Sequence, residues 1–394
     1  MTDFDQRSPA AQPSSSAEPL EAPETTTVEE AAGTSLPERH ESYYTLVWRR
    51  FRRSVSGMIG LVLVSLLVIV TVFADFFAPM NPRATEIPFS PPDVISFTAP
   101  DGSFSIIPFV YPVGDTGEFD PVTFQPLSGP ILDDPTPVGL FVKGFEYRLF
   151  GLVPLDRHFF GSTNGRSIHL LGTDKFGRDI LSRGIYGSRI SLIIAFAVVT
   201  LTTTIGTLVG IASGYLGGNV DYVVQRFVDF VLAFPQLPLY LALTSLVPLT
   251  APSNVFIAFV IAVLAALMWA PLSREVRSKT LALARVDYVR AAIAVGSSDI
   301  RIITRHILPN VLSHIIVAVT LQIPTVILLE SFLGFLGFAV KPPLISWGLM
   351  LQDTNTFSVI GSYPWILSPV IFVLIAVFAF NALGDGLRDA VDPY

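Results

Sequence analysis

Long apolar runs alternate along the chain with polar stretches rich in Pro and Gly. A helix needs about 20 predominantly apolar residues to cross the hydrocarbon core of a bilayer. Six runs reach or approach that length, at residues 57–78, 190–211, 227–246, 255–272, 311–329 and 366–383. Backbone groups in lipid must find their hydrogen bonds within their own segment, so each run predicts a helix. The third carries Asp229, Pro235 and Pro238, which predicts a kink or a late start. The pattern is that of an all-α polytopic membrane protein with six transmembrane helices.

Basic residues orient the runs. Arg49, Arg50, Arg52 and Arg53 stand just before the first, and Arg274, Arg277, Lys279, Arg285, Arg290, Arg301 and Arg305 lie between the fourth and fifth. Six spans put both clusters on one side, which places both termini in the cytoplasm. The first cluster reads as a lipid-headgroup anchor. The polar stretch 80–187 is then a large extracytoplasmic insert. Within it, Ala99-Pro100-Asp101-Gly102-Ser103 between two apolar segments reads as a hairpin with an Asp-Gly turn, and 145–150 reads as a further strand, so the insert contains some β structure. A passive spacer and a dock for an external binding protein fit it equally.

Composition adds little to this picture and removes several functions. The chain is 51% hydrophobic and 14% charged, against about a quarter charged in ordinary globular domains. The net charge of −7 is partly local, because Asp3, Asp5, Glu18, Glu21, Glu24, Glu29 and Glu30 crowd the start of the chain. Residues 1–42 cannot bury enough apolar surface to offset chain entropy and read as a disordered acidic tail. They lack a basic n-region followed by an apolar h-region, so they do not form a cleaved signal peptide. There is no cysteine, which removes disulfides, thiolate metal sites and cysteine nucleophiles. No Gly-x-x-x-x-Gly-Lys-Ser/Thr, His-Glu-x-x-His or Gly-x-Ser-x-Gly occurs. The expectation is a chain with no catalytic residue, no metal site, no cofactor of its own and no nucleic-acid partner.

One loop at residues 273–310 stands out. It contains Asp287-Tyr288-Val289-Arg290-Ala291-Ala292-Ile293-Ala294-Val295-Gly296 and then Arg305-His306-Ile307-Leu308-Pro309-Asn310. Ala291 and Ala292 favour a helix with almost no side-chain bulk, so a partner surface can approach closely. Gly296 lets the helix end or turn, and Pro309 suits the first turn of a new helix. The plain alternative is an amphipathic connector with lipid-facing arginines. The loop resembles the EAA loop of ABC importer permeases. Arg290 takes the place of that pattern's leading Glu, and His306 that of its Ile, with Ile307 one step late.

Three further stretches resemble the C-type permease of dipeptide and oligopeptide importers. They are Leu171-Gly172-Thr173-Asp174-Lys175-Phe176-Gly177-Arg178-Asp179, continuing through Ser182-Arg183 to Gly187-Ser188-Arg189-Ile190-Ser191-Leu192; Glu330 to Gly337 with Lys341-Pro342-Pro343 and Ser346-Trp347-Gly348; and Asn381 to Pro393. From the residues alone, Asp174 with Arg178 and Asp179 with Arg183 have the i,i+4 spacing of ion pairs along a helix, and the other two stretches read as helix-end and turn chemistry. Four motifs in order identify the chain as a member of the family of second permease subunits of bacterial peptide-type ABC importers.

That resemblance implies an organisation. Residues 43–79 hold a basic juxtamembrane segment and the first span, 80–187 the insert, 188–384 a five-helix core with the loop 273–310 as a cytoplasmic coupling helix, and 385–394 a cytoplasmic tail. It implies ATPase docking through Arg290, Ala291, Ala292, Gly296, Ser297, Leu308 and Pro309. The implied partners are a sister permease, two ABC ATPase subunits that hold ATP and Mg, an extracytoplasmic substrate-binding protein, a peptide substrate and the lipid of the bacterial inner membrane. Asp229, Glu330 and His314 are ionisable groups in or near spans, and such groups are functional candidates; Asp229 and Glu330 are the weak candidates for the substrate pathway. The same groups and the Pro pair of the third run leave open an ion-coupled secondary transporter. A membrane-bound enzyme would need a catalytic constellation, and the sequence offers none.

Overall fold

The structure is a computed structural model that describes residues 43–99, 102–119, 126–131, 135–248, 251–338 and 340–391. The acidic tail expected at 1–42 lies outside the described residues. One compact unit spans Tyr44–Tyr394.

The described residues start with α1 (Tyr43–Phe51), α2 (Val55–Val72) and the single turn α3 (Ala74–Phe77). Ser54 caps α2, its hydroxyl accepting from the Gly57 N–H at 3.2 Å, which satisfies one of the free donors of a helix start. Six strands follow: β1 (Val94–Thr98), β2 (Phe104–Tyr111), β3 (Val113–Phe119), β4 (Pro126–Pro130), β5 (Thr136–Leu149) and β6 (Val153–Ser162). All pair antiparallel, in a four-stranded sheet of order β1-β2-β5-β6 and a separate β3-β4 pair. Pro100 and Asp101 of the expected Asp-Gly turn lie outside the described residues; beside them the Ala99 N–H donates to the Ser103 carbonyl at 2.8 Å and Gly102 has φ +83.

The rest is helical: α4 (Ile180–Leu216), α5 (Gly218–Ala233), α6 (Gln236–Thr244), α7 (Ser253–Leu283), α8 (Asp287–Ala294), α9 (Asp299–Ile302), α10 (Leu308–Phe335), α11 (Trp347–Leu351), α12 (Phe357–Ser362) and α13 (Pro369–Val391). Among the described residues five helices are long and apolar enough to cross a membrane, and α5 with α6 forms a bent pair that would make a sixth crossing.

Small residues let these helices touch. Gly206, Gly210 and Gly214 recur every four residues on α4 against α7; a Cβ on Gly210 would stand 2.6 Å from the Ser273 carbonyl oxygen. A Cβ on Gly60 of α2 would stand 2.2 Å from the Leu383 nitrogen of α13. In lipid there is no hydrophobic drive between helices, so close backbone contact supplies the association. The main core gathers Ile194, Val198, Leu264, Val326, Ile327, Trp347 and Phe380 from α4, α7, α10, α11 and α13.

Several expectations change. The second apolar run starts its helix at Ile180, not near residue 188, because the Asp179 carboxylate caps it by accepting from the Ser182 N–H at 2.7 Å. The insert therefore ends earlier than expected. The third run is two helices bent by 80°. The break falls at Phe234-Pro235, where extended backbone interrupts the helix and Pro235 offers no N–H. α5 also begins nine residues before the apolar run does, since Gly217 and Gly218, both at positive φ, end α4 and start it. Residues 385–391 continue α13 and are not a tail; Gly386 packs against Gly57, and a Cβ there would lie 2.2 Å from the Gly57 Cα.

Candidate docking site and buried polar cluster

The loop between α7 and α10 is built on a small core of its own. Val289 and Ile302 are buried with Ile211 of α4, Val276 of α7 and Val311 of α10, and Ala292 packs onto them. α8 is thus pinned by Val289 and Ala292, three residues apart on one face. Its other face carries Arg290, Ala291, Ile293 and Ala294, all exposed, followed by exposed Val295. Ala291 and Ala292 therefore divide their roles: only Ala291 offers a thin outer surface, and Ala292 serves the inner packing.

Gly296 ends the helix at φ +80. Its N–H donates to the Ile293 carbonyl at 2.9 Å and the Ser297 N–H donates to the Ala292 carbonyl at 3.0 Å, the pair of bonds of a Schellman cap. Nothing lies within 4 Å of a Cβ built on Gly296, so the backbone angle, not crowding, requires glycine there. Arg290, Arg301 and Arg305 are exposed and form no ion pair among the described residues, so the loop presents a positive face.

Leu308 and Pro309 stand in the first turn of α10, as expected, but no loop precedes that turn. α9, a π-helical turn Ile303–Ile307 and α10 form one apolar run from Asp299 to Phe335. The Leu308 N–H reaches back to the Ile303 carbonyl, and this wider ladder accommodates a proline that lacks an N–H. Tyr215 ties the run to α4 by donating to Asp299 at 2.8 Å.

Charged groups of the spans are matched along the C-terminal third of α7. Arg277 makes two 2.5 Å bonds to Asp221, a bidentate arrangement. Asp229 pairs with Arg274 and with Arg226, and His314 lies 3.2 Å from Glu275. Glu330 differs. It is 0% exposed, in the last turns of α10, where α4 and α11 meet. Ser191 donates to its Oε2 at 3.0 Å, and the Trp347 N–H donates to Ser191 Oγ at 3.1 Å. Trp347 is itself buried, its indole donating to the Gly184 carbonyl at 2.8 Å. A Cβ on Gly334 would come within 2.3 Å of Gly348. Two sequence motifs about 150 residues apart thus form one polar cluster, with the glycines permitting the approach. Asp229, His314 and Glu330 do not come together.

A second assembly escaped sequence reasoning. His169 places Nδ1 3.2 Å from Asp179 and Nε2 3.1 Å from Glu86, and its N–H donates to Asp93 at 2.6 Å. Burial alone would lower the imidazole pKa; the two carboxylates outweigh it and push the value up to about 9. Burial raises the pKa of Asp93. Gly177, at φ +72, would drive a Cβ to 2.2 Å from the Glu86 carbonyl oxygen. Asp174 pairs with Arg178 at 2.7 Å, but within a turn, and it also receives Arg183 at 3.4 Å. The expected Asp179–Arg183 pair does not form, because Asp179 is occupied as helix cap and histidine partner. Arg189 reaches the Thr71 and Val72 carbonyls, both at 3.0 Å, and Asp75 at 2.6 Å, so it closes the end of α2. The only sequence signal for this assembly was Asp179 standing as a capping residue before an apolar run.

Residues 206–394 match the family described as binding-protein-dependent transport system inner membrane component. Residues 42–92 match the N-terminal TM domain of oligopeptide transport permease C. The oligopeptide transport system permease protein OppC of Haemophilus influenzae is 41% identical over 226 residues, which cover 57% of this chain and 70% of that protein.

The chain belongs to this family of inner membrane transport components.

The dipeptide transport system permease protein DppC of Alkalihalophilus pseudofirmus is 42% identical over 229 residues, 57% of this chain and 72% of its own. A solved structure of the MetNI methionine ABC transporter superposes at TM-score 0.43 with 16% identity, over 54% of this chain and 98% of that one. By the family match and the OppC and DppC relatives, the chain is a multi-pass permease component of a binding-protein-dependent ABC transport system. The family-model match begins within α4, after Ser191, and takes in the α8 loop, Glu330 with Trp347 and Gly348, and α13. Residues 93–205, which hold strands β1 to β6 and the first part of α4, lie between the two matched segments.

Proposed function

We propose that this permease subunit lines a peptide pathway together with a sister permease, and that ATP turnover in two partner ATPase subunits drives it through α8. The observation that carries the reading is the two-faced α8. One face is fixed to the ends of α4, α7 and α10, and the other stands free with Arg290, Ala291, Ile293 and Val295 outward. A push on such a helix moves the span ends as a body, and a partner that binds one arrangement better biases which opening is populated. Arg290, Arg301 and Arg305 suit an acidic cleft on that partner.

The peptide class rests on the names of the relatives, several of them oligopeptide or dipeptide permeases. The basic residues near α2 and in the α8 loop put that loop and both termini in the cytoplasm. The α5–α6 pair is the sixth span, and the sheet of β1, β2, β5 and β6 lies outside, toward a substrate-binding protein. The chain itself is non-catalytic and takes no cofactor; ATP and Mg belong to the ATPase subunits. An ion-coupled carrier is the weaker reading, since Asp229 and His314 already face charged partners.

The test is purification of the tagged chain from mild detergent, identification of what comes with it, and an ATPase assay. Two ATPase polypeptides and a sister permease are expected. Gly296→Trp is expected to leave insertion intact and to abolish substrate-stimulated ATP turnover. A lone chain, or full coupling in Gly296→Trp, refutes the docking role.

A further inference from the structure

The β5–β6 hairpin ends in Leu149-Phe150-Gly151-Leu152-Val153. Phe150 and Gly151 sit at φ +52 and +73, and the Leu152 N–H donates to the Leu149 carbonyl at 3.0 Å. Two central residues at positive φ are the requirement of the type I′ hairpin turn, which favours Asn-Gly. A bulky residue in the first position is a strained choice. The Phe150 ring is not buried in compensation. It is 62% exposed, Leu152 80% and Val153 51%. A turn at the end of a polar insert therefore shows three apolar side chains side by side, a patch of the kind that marks an interaction site.

Its neighbour identifies what covers it. The Phe150 ring lies edge-on to that of Phe73, with centroids 5.7 Å apart. Phe73 follows the last residue of α2 directly, and its N–H still donates to the Ile69 carbonyl. α2 exposes Val62, Leu66, Ile69 and Val72, spaced by four, three and three residues, so one apolar stripe runs up the helix and ends at Phe73. The hairpin tip thus stands where a spanning helix leaves the hydrocarbon. Its height is set by a second contact, Phe76 and Phe77 of α3 against Phe159 of β6, at 6.0 and 5.2 Å. Aromatic side chains gather at that level of a bilayer. Arg148, exposed beside the tip, has the reach to place its charge among lipid phosphates.

We propose that the β5–β6 tip inserts Phe150, Leu152 and Val153 into the headgroup–acyl boundary of the leaflet at the Phe73 end of α2. The insert is then tied to the membrane by a lipid anchor of its own. In the orientation proposed above this is the outer leaflet. The inference does not depend on which solute is carried.

The chain has no cysteine, so a single introduced thiol is its only label site. Leu152→Cys carries an environment-sensitive fluorophore in the assembled transporter, reconstituted in phosphatidylcholine–phosphatidylglycerol vesicles. Val153→Cys serves if that variant does not assemble. Ile106→Cys on β2 is the reference, because Ile106 is as exposed, at 87%, and as apolar. The expected result at the tip is blue-shifted emission that a nitroxide near the lipid headgroup removes for the most part and aqueous iodide leaves almost intact. The Ile106 label is expected to show the reverse. Iodide quenching at both positions overturns the proposal, as does equal lipid quenching at both. Protection of the tip from both quenchers also overturns it, because a protein surface then covers the hairpin.

Discussion

Between the strand-bearing insert and the first turn of α4, His169 holds two carboxylates at once, and its removal has a pH signature. Asp179 faces Nδ1, Glu86 faces Nε2, and Asp93 takes the backbone N–H. The folded-state pKa of about 9 stands against an ordinary 6.5. At about 1.4 kcal/mol per pKa unit, that gap sets an upper figure of roughly 3 kcal/mol. Glu86 is 35% exposed, so water screens its share and a contribution on the order of 2 kcal/mol is the fair expectation. A raised folded pKa favours the folded state fully below the unfolded value, and the gain disappears as pH climbs through the folded one. The window is therefore pH 6.5 to about 9. His169→Gln keeps a donor but never a charge. The apparent unfolding temperature of the permease and of this variant, measured in one detergent at one scan rate, should differ by a few degrees at pH 6.5. The difference should shrink steadily toward pH 9.5. A gap that stays constant across that range would refute the charged-bridge account, and a gap that widens would reverse its sign.

Gly177→Ala should loosen the same junction at every pH, since it meets both a positive φ and the Glu86 carbonyl; faster proteolysis of the insert is the readout, and wild-type protection would count against it. Glu330→Gln should keep assembly and transport, because the amide still accepts from Ser191, whereas Glu330→Ala should lose about 1–3 kcal/mol by stranding buried partners; thermal stability and uptake read both, and loss of transport in a stably folded Gln variant would point to a role for the charge. Gly210→Leu should separate α4 from α7, with a Cβ already at 2.6 Å from Ser273; recovery of an intact complex on size exclusion would contradict that contact. Arg277→Leu should strand Asp221 and lower the yield of assembled complex, and Asp221→Asn in the same chain should recover part of it.

Helix positions were readable wherever the apolar run was long and unbroken, as in α2, α7, α10 and α13, because the lipid requirement acts on each segment separately. The Pro235 break was readable for the same local reason, although the 80° bend was not. Asp174 and Arg178 were paired correctly from spacing, while Asp179 and Arg183 were not. Spacing assumes a helix, and the chain turns there to bring Glu86 and His169 alongside. Glu330 was visible as an oddity in an apolar run, but its burial depends on Ser191 and Gly348, which no local pattern connects to it.

The one-dimensional pattern thus determined what each segment does alone in lipid or water: where it is helical and where it breaks. It also carried the small-residue motif of the α8 loop, because a helix cap at Gly296 is decided by its own backbone angle. Partners between segments were decided only by the tertiary structure. The α4–α7 glycine stripe, the Glu330 cluster, the His169 bridge and the Phe73–Phe150 contact join residues separated by dozens of positions or more. Such contacts follow from how packed helices set the distance between loops, a quantity that no single segment encodes.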